Sequence, residues 1–172
     1  LSATMHKRLD EDTSPVVRAW SLRMAMESNR GERNGAELIQ LIEKAAEDKS
    51  PVVQLAVASA LAQVDLKYRW KALTSLAGHD GVAEDHNLPL MIWYGIEPLV
   101  DSDLTRFVDL ARAAEIPLDR NHIARRVASY PQAKVGHTKL GLEGLTKLLV
   151  ENSDEAFQLD LNCYHFRFRH HI

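Results

Sequence analysis

The sequence predicts an all-α protein: a right-handed α-solenoid of about four to five helical hairpins, closed by an irregular C-terminal tail. Three observations predict it. Asp12-Thr13-Ser14-Pro15-Val16-Val17 recurs as Asp48-Lys49-Ser50-Pro51-Val52-Val53, a fixed offset in a chain of 172 residues. Each copy opens an apolar stripe of helical period, with a second amphipathic segment between copies. Hydrophobic residues make up 45% of the chain, with only 8 Gly and 6 Pro, which suits a packed core and excludes a low-complexity chain.

The elements follow in order. Met5 and Leu9 are the remnant of a leading helix. At Ser14-Pro15 a helix starts, carrying Val16, Val17, Trp20, Met24 and Ala25 as its stripe. Leu38, Ile39, Leu41, Ile42, Ala45 and Ala46 form the next. Ser50-Pro51 opens the closest copy, with Val52, Val53, Ala56, Val57, Ala60, Leu61 and Val64. Trp70, Leu73, Leu76 and Ala77 follow, and then Asp85-His86-Asn87-Leu88-Pro89-Leu90-Met91 as a looser third start. Leu104, Phe107, Val108, Ala111 and Ala114 precede a fourth start, read at Asp119-Arg120-Asn121-His122-Ile123-Ala124 with its proline lost. Taking Pro15, Pro51, Pro89 and His122 as equivalent gives spacings of 36, 38 and 33 residues. Ile123, Ala124, Val127 and Ala128 continue that stripe, and Leu142, Leu145, Leu148 and Leu149 make a last one.

The starts have a local cause. Ser14 and Ser50 are placed to cap, each hydroxyl accepting from a first-turn N–H that lacks a partner. Pro15 and Pro51 then stand where a missing N–H costs nothing and φ is already set. A hairpin of two such helices cannot enclose its own apolar face, so neighbours stack into one continuous core. The reading divides the chain into residues 1–150, the solenoid, and residues 151–172, a C-terminal cap or tail. In the latter Phe157, Leu159 and Leu161, then Phe166 and Phe168, alternate with polar residues in a strand-like way.

The net charge is −3, which disfavours general binding to a phosphate backbone. The single cysteine, Cys163, excludes an intrachain disulfide and any Cys-x-x-Cys site. The longest apolar run, Leu88 to Val100, is interrupted by Gly95, Glu97 and two prolines and falls short of the ~20 residues a spanning helix needs. The chain opens on Leu rather than Met, and the expectation is a segment of a longer polypeptide.

Asp-x-Ser-Pro-Val-Val-Arg, seen at Asp12 to Arg18, resembles the second helix of a HEAT repeat. In that family the turn Asp and the helix Arg form a polar ladder between units, which implies Asp12, Arg18 and Asp48 as members and a break at Gln54 and Ile92. Asp85 to Tyr94, continued by Glu97-Pro98-Leu99-Val100, resembles the HEAT segment of planctomycete-type multidomain membrane-bound dehydrogenase and haem-binding proteins, and His122 to Ser129 is similar to the segment that follows there. The matches cover roughly residues 10 to 130. The resemblance implies a β-propeller and a c-type cytochrome on either side, with haem c and a quinone cofactor in those flanking domains and no cofactor in this chain. It also implies a periplasmic or cell-envelope location.

Candidate chemistry gathers in four places. His79, Asp80, Asp85 and His86 crowd one turn, where zinc competes with an ordinary polar turn built on Asp80-Gly81; no pair has helical i, i+4 ligand spacing. Trp93 and Tyr94 lie in the most apolar helix and read as core or as an interaction hot spot, and Glu97 reads as emerging where Pro98 ends that helix or as a buried carboxylate of raised pKa. Arg120, His122, Arg125 and Arg126 make the densest basic cluster, without interleaved aromatics, and read as a solvated or ion-paired face. His165, His170 and His171 read as a metal-binding cluster or as an ordinary terminal tail. No glycine-rich nucleotide loop, nucleophile elbow or His-Glu-x-x-His is present.

No catalytic, cofactor-binding or metal-ligating residue is therefore assigned. The expected function is a non-catalytic helical-repeat scaffold or protein-interaction module, its partner another protein or flanking domains of the same polypeptide. Two alternatives stand beside it: a component orienting the modules of a membrane-associated dehydrogenase–cytochrome system, and a nucleic-acid-binding helical repeat.

Overall fold

The computed structural model describes residues 3–79, 81, 85–129 and 135–162. Among these the regular structure is entirely helical. The α-helices are α1 (Ala3–Glu11), α2 (Pro15–Ser28), α3 (Ala36–Ala45), α4 (Pro51–Leu61), α5 (Trp70–Ala77), α6 (Leu88–Ile96), α7 (Leu104–Ala113), α8 (Pro117–Ala128), α9 (Val135–Glu151) and α10 (Glu155–Asn162). Short 3-10 segments, Leu66–Tyr68 and Glu97–Asp101, precede α5 and follow α6.

Sequential helices pair, α1 with α2, α3 with α4, α5 with α6, α7 with α8 and α9 with α10. The second helices also pack in succession, α2 on α4, α4 on α6, α6 on α8 and α8 on α10. The first helices do so from α3 through α5 and α7 to α9. One continuous core results, running from Leu9 through Leu38, Val53, Leu73, Ile92, Phe107 and Ile123 to Leu161. No described helix is long and apolar enough to cross a membrane.

Three sequence expectations need correction. The serines do not cap: neither Ser14 nor Ser50 makes a side-chain cap hydrogen bond. Instead the Asp two residues earlier turns the chain, accepting the serine N–H at 2.9 Å in Asp12–Ser14 and again in Asp48–Ser50. Asp85 repeats the motif with the N–H groups of Asn87 and Leu88, both at 2.8 Å. A carboxylate accepts more strongly than a hydroxyl, and this turn sets the entry angle that the proline then requires.

The fourth start is not without its proline. α8 begins at Pro117, five residues before His122, so the fourth unit follows the third by 28 residues rather than 33. A proline without a preceding Asp-x-Ser concealed it. The alternation of Phe157, Leu159 and Leu161 is helical rather than strand-like or irregular: in α10, Phe157 and Leu161 are one turn apart and buried, while Leu159 is exposed. Three alternating residues fit either period until a neighbour decides, and here α8 covers one side.

Candidate interaction face and polar seam

The corrected start makes the second helices comparable position by position, counted from Pro15, Pro51, Pro89 and Pro117. Three residues on stand Arg18, Gln54, Ile92 and Arg120. Arg18 Nη1 donates to Asp12 O at 2.8 Å, Gln54 Nε2 to Asp48 O at 2.9 Å and Arg120 Nη1 to Ala114 O at 2.7 Å. Each side chain thus closes its own turn by reaching six residues back. The arginines also reach the next unit. Arg18 grips both carboxylate oxygens of Asp48, at 2.6 and 3.0 Å. Arg120 donates twice to Asp160 Oδ2 and lies over the Phe157 ring. Of the three residues named by the resemblance, Arg18 pairs with the Asp48 carboxylate, while Asp12 accepts from Arg18 through its backbone carbonyl and not its carboxylate; Arg120–Asp160 is a second such pair, unseen in the sequence.

One residue beyond each proline stand Val16, Val52, Leu90 and Leu118. All four are apolar and 39–51% exposed. Four residues further along the same face come Trp20, Ala56, Tyr94 and His122. Trp20 and Tyr94 are 56% and 62% exposed, whereas Ala56 is buried between them in sequence order. Met24 extends the α2 stripe and is equally open. Trp20 and Met24 were expected in the core, and Tyr94 was open to either reading. α2 instead turns Ala19, Leu22, Ala25 and Met26 inward, a choice left to its neighbours because its apolar residues are spread around the helix.

The same comparison isolates a seam. In α4 the residues two, five and nine beyond the proline are Val53, Ala56 and Ala60, all buried. In α8 they are Asp119, His122 and Arg126, one stripe at i, i+3 and i+7. From the α6 side, the Trp93 ring meets His122 at a tilt of 47° with centroids 4.9 Å apart, and Glu97 lies 3.6 Å from Arg126. Asp119 is fully buried, and neither carboxylate oxygen has a hydrogen-bond partner. His122 Nδ1 is likewise buried without one. Burial pushes the Asp119 carboxyl up to about 7. It pushes His122 down, helped by Arg125 and opposed by Glu97, so the imidazole favours its neutral form.

The remaining sequence candidates disperse. His79 Nε2 lies 2.9 Å from Ala46 O, Asp85 serves its own turn, and His86 is exposed; Asp80 lies outside the described residues. Among the described residues no three His, Cys, Asp or Glu side chains form a group able to hold a metal ion. Arg125 is exposed. Cys163, His165, Phe166, Phe168, His170 and His171 lie outside the described residues. Sequence reading missed Asp119 as a buried group, although aligning Pro117 with Pro51 would have set it against Val53. No protein-family model, curated protein or solved structure matches this chain.

Proposed function

We propose that this chain is a non-catalytic helical-repeat scaffold, a solenoid of HEAT-like hairpins whose second helices offer one face to a protein partner or a flanking domain. The observation that carries the reading is the row Val16, Val52, Leu90 and Leu118, flanked by Trp20 and Tyr94. Apolar residues scattered singly on a surface need no explanation, but the same repeat position kept apolar and open on four helices does. Aromatic side chains beside such a row are the usual anchors of binding energy. In the form suggested by the family resemblance, this scaffold spaces a propeller and a cytochrome in the cell envelope, and haem c and quinone belong to those modules.

The test compares the wild-type chain with Trp20→Glu/Tyr94→Glu, checked by circular dichroism for unchanged helicity. Quantitative affinity capture from the source cells is expected to recover proteins with the wild type that the double variant loses at least tenfold. Identical recoveries would overturn the interaction face. Titration with duplex DNA at two salt concentrations checks the nucleic-acid alternative, and the proposal expects no salt-dependent affinity.

A further inference from the structure

We propose that the seam between α6 and α8 is a proton-operated joint, held closed while Asp119 keeps its proton and loosened when Asp119 ionises. The geometry begins with the substitution of kind at equivalent positions: Val53, Ala56 and Ala60 on α4, against Asp119, His122 and Arg126 on α8. An apolar seam closes at any pH. A seam containing an enclosed carboxyl closes only when the carboxyl is neutral, because ionising it without a partner carries a heavy desolvation cost.

Nothing described around Asp119 offsets that cost. On α8 itself Arg120 is committed to Ala114 O and Asp160, Arg125 is exposed, Arg126 stands by Glu97, and burial with Arg125 disfavours the charged form of His122. α6 brings Tyr94, which is exposed, and the following 3-10 segment brings Glu97 and the exposed Asp101. α7 brings Arg106, lying over Trp70, the exposed Asp109, and Arg112, paired with Glu151. On the described part of α9, Lys139 pairs with Glu143 and Lys147 with Glu151. α10 brings the exposed Glu155 and Asp160, the partner of Arg120. The upward displacement of the Asp119 carboxyl, to about 7, has burial as its cause.

α8 is also tied less firmly to α6 than to α10. Towards α10 it holds the buried Arg120–Asp160 pair and the Asn121 Nδ2 donation to Asp160 O. Towards the α6 side, the described ring and charge contacts include the tilted Trp93–His122 pair and the Arg126–Glu97 ion pair, whose Glu97 side chain is 47% exposed. Ionisation therefore parts α8 from α6 and leaves α8 with α10. Trp93 and Tyr94 lie on the α6 side, so opening alters one end of the proposed interaction face. The joint itself does not depend on that proposal.

The sign and size follow from linkage. In the closed seam Asp119 titrates near 7, and once exposed it returns to its ordinary 3.8. The opening equilibrium therefore rises with pH between these values, by roughly tenfold from pH 6 to pH 8, and is flat above. Hydrogen exchange of the full chain, followed by mass spectrometry and corrected for intrinsic rates, reads it directly. Peptides from α6 and α8 are expected to exchange about ten times faster at pH 8 than at pH 6, with α3 and α4 unchanged. Asp119→Asn and Asp119→Val should both abolish that dependence, and His122→Gln should keep it. A flat wild-type profile would overturn the joint, as would an equal rise in α3 and α4, which is global loosening. So would a dependence that survives Asp119→Asn or vanishes with His122→Gln, which assigns the titration to the imidazole.

Discussion

Replacing Arg18 by Met leaves Asp48 partly buried with one fewer partner than it was folded to meet. Burial alone would raise the Asp48 carboxyl, but the Arg18 guanidinium and the Ser50 N–H together outweigh it and hold the group below the ordinary carboxylate range. Stability from the pair is thus present at neutral pH and lost as the pH falls through the acid range below about 4. Arg18→Met is expected to cost about 2 kcal/mol at pH 7 by urea unfolding, and to flatten the acid limb of the stability profile. Asp119 acts with the opposite sign. Its carboxyl is raised, so its contribution is greatest in acid and is lost as the pH climbs from 3.8 to about 7. Asp119→Val should therefore stabilise the chain at pH 8 by roughly 3 kcal/mol, a gain that shrinks toward pH 4. A melting series from strong acid, below the ordinary carboxylate range, up to pH 8 checks both slopes at once.

At the scale of an element, helix starts rest on the turn carboxylates and not on the serines. Ser50→Ala is expected to shift the melting temperature by no more than a degree or so, since its hydroxyl caps nothing. Asp48→Ala should remove both an Asx turn and a rung of the ladder. Helix contacts are equally specific. A Cβ on Gly141 of α9 would stand 2.7 Å from Val127 Cγ1 and 3.2 Å from Leu104 Cδ2. Val127 is β-branched and buried, so it has little freedom to yield. Gly141→Ala is expected to cost about 1–2 kcal/mol despite the roughly 1 kcal/mol that Ala gains over Gly in a helix. Gly95→Ala meets only the far end of Leu73, at 2.8 Å, and should come out near neutral by the same unfolding measurement. The helices that open on Asp-x-Ser-Pro were legible in the sequence because their signals are local. α10 was not, since its three alternating residues fit two periods.

Across the whole molecule, the packing of second helix on second helix places one residue of each unit in a common row. The double variant Trp20→Glu/Tyr94→Glu addresses that row as a unit, and its expected loss of captured protein at unchanged helicity belongs to this scale. The row was visible only after Pro117 replaced His122 as the fourth start. Before that, Leu118 had no equivalent and Asp119 was read as part of a turn. Two rungs joining separated units, Arg18 to Asp48 and Arg120 to Asp160, had different legibility for a physical reason. The first repeats a short motif, whereas the second links residues 40 apart in helices of dissimilar sequence.

The sequence by itself determined the helical class, the helix starts marked by Pro15, Pro51 and Pro89 and the apolar segments between them, since all of these follow from hydrogen bonds and periodicity within a dozen residues. Tertiary structure decided which side of α2, with apolar residues all around it, is covered, leaving Trp20 and Met24 open and Ala25 buried. It also decided that Asp119 is enclosed without a hydrogen-bond partner. Burial is a property of the neighbours that arrive, and a residue cannot announce its neighbours from its own stretch of chain.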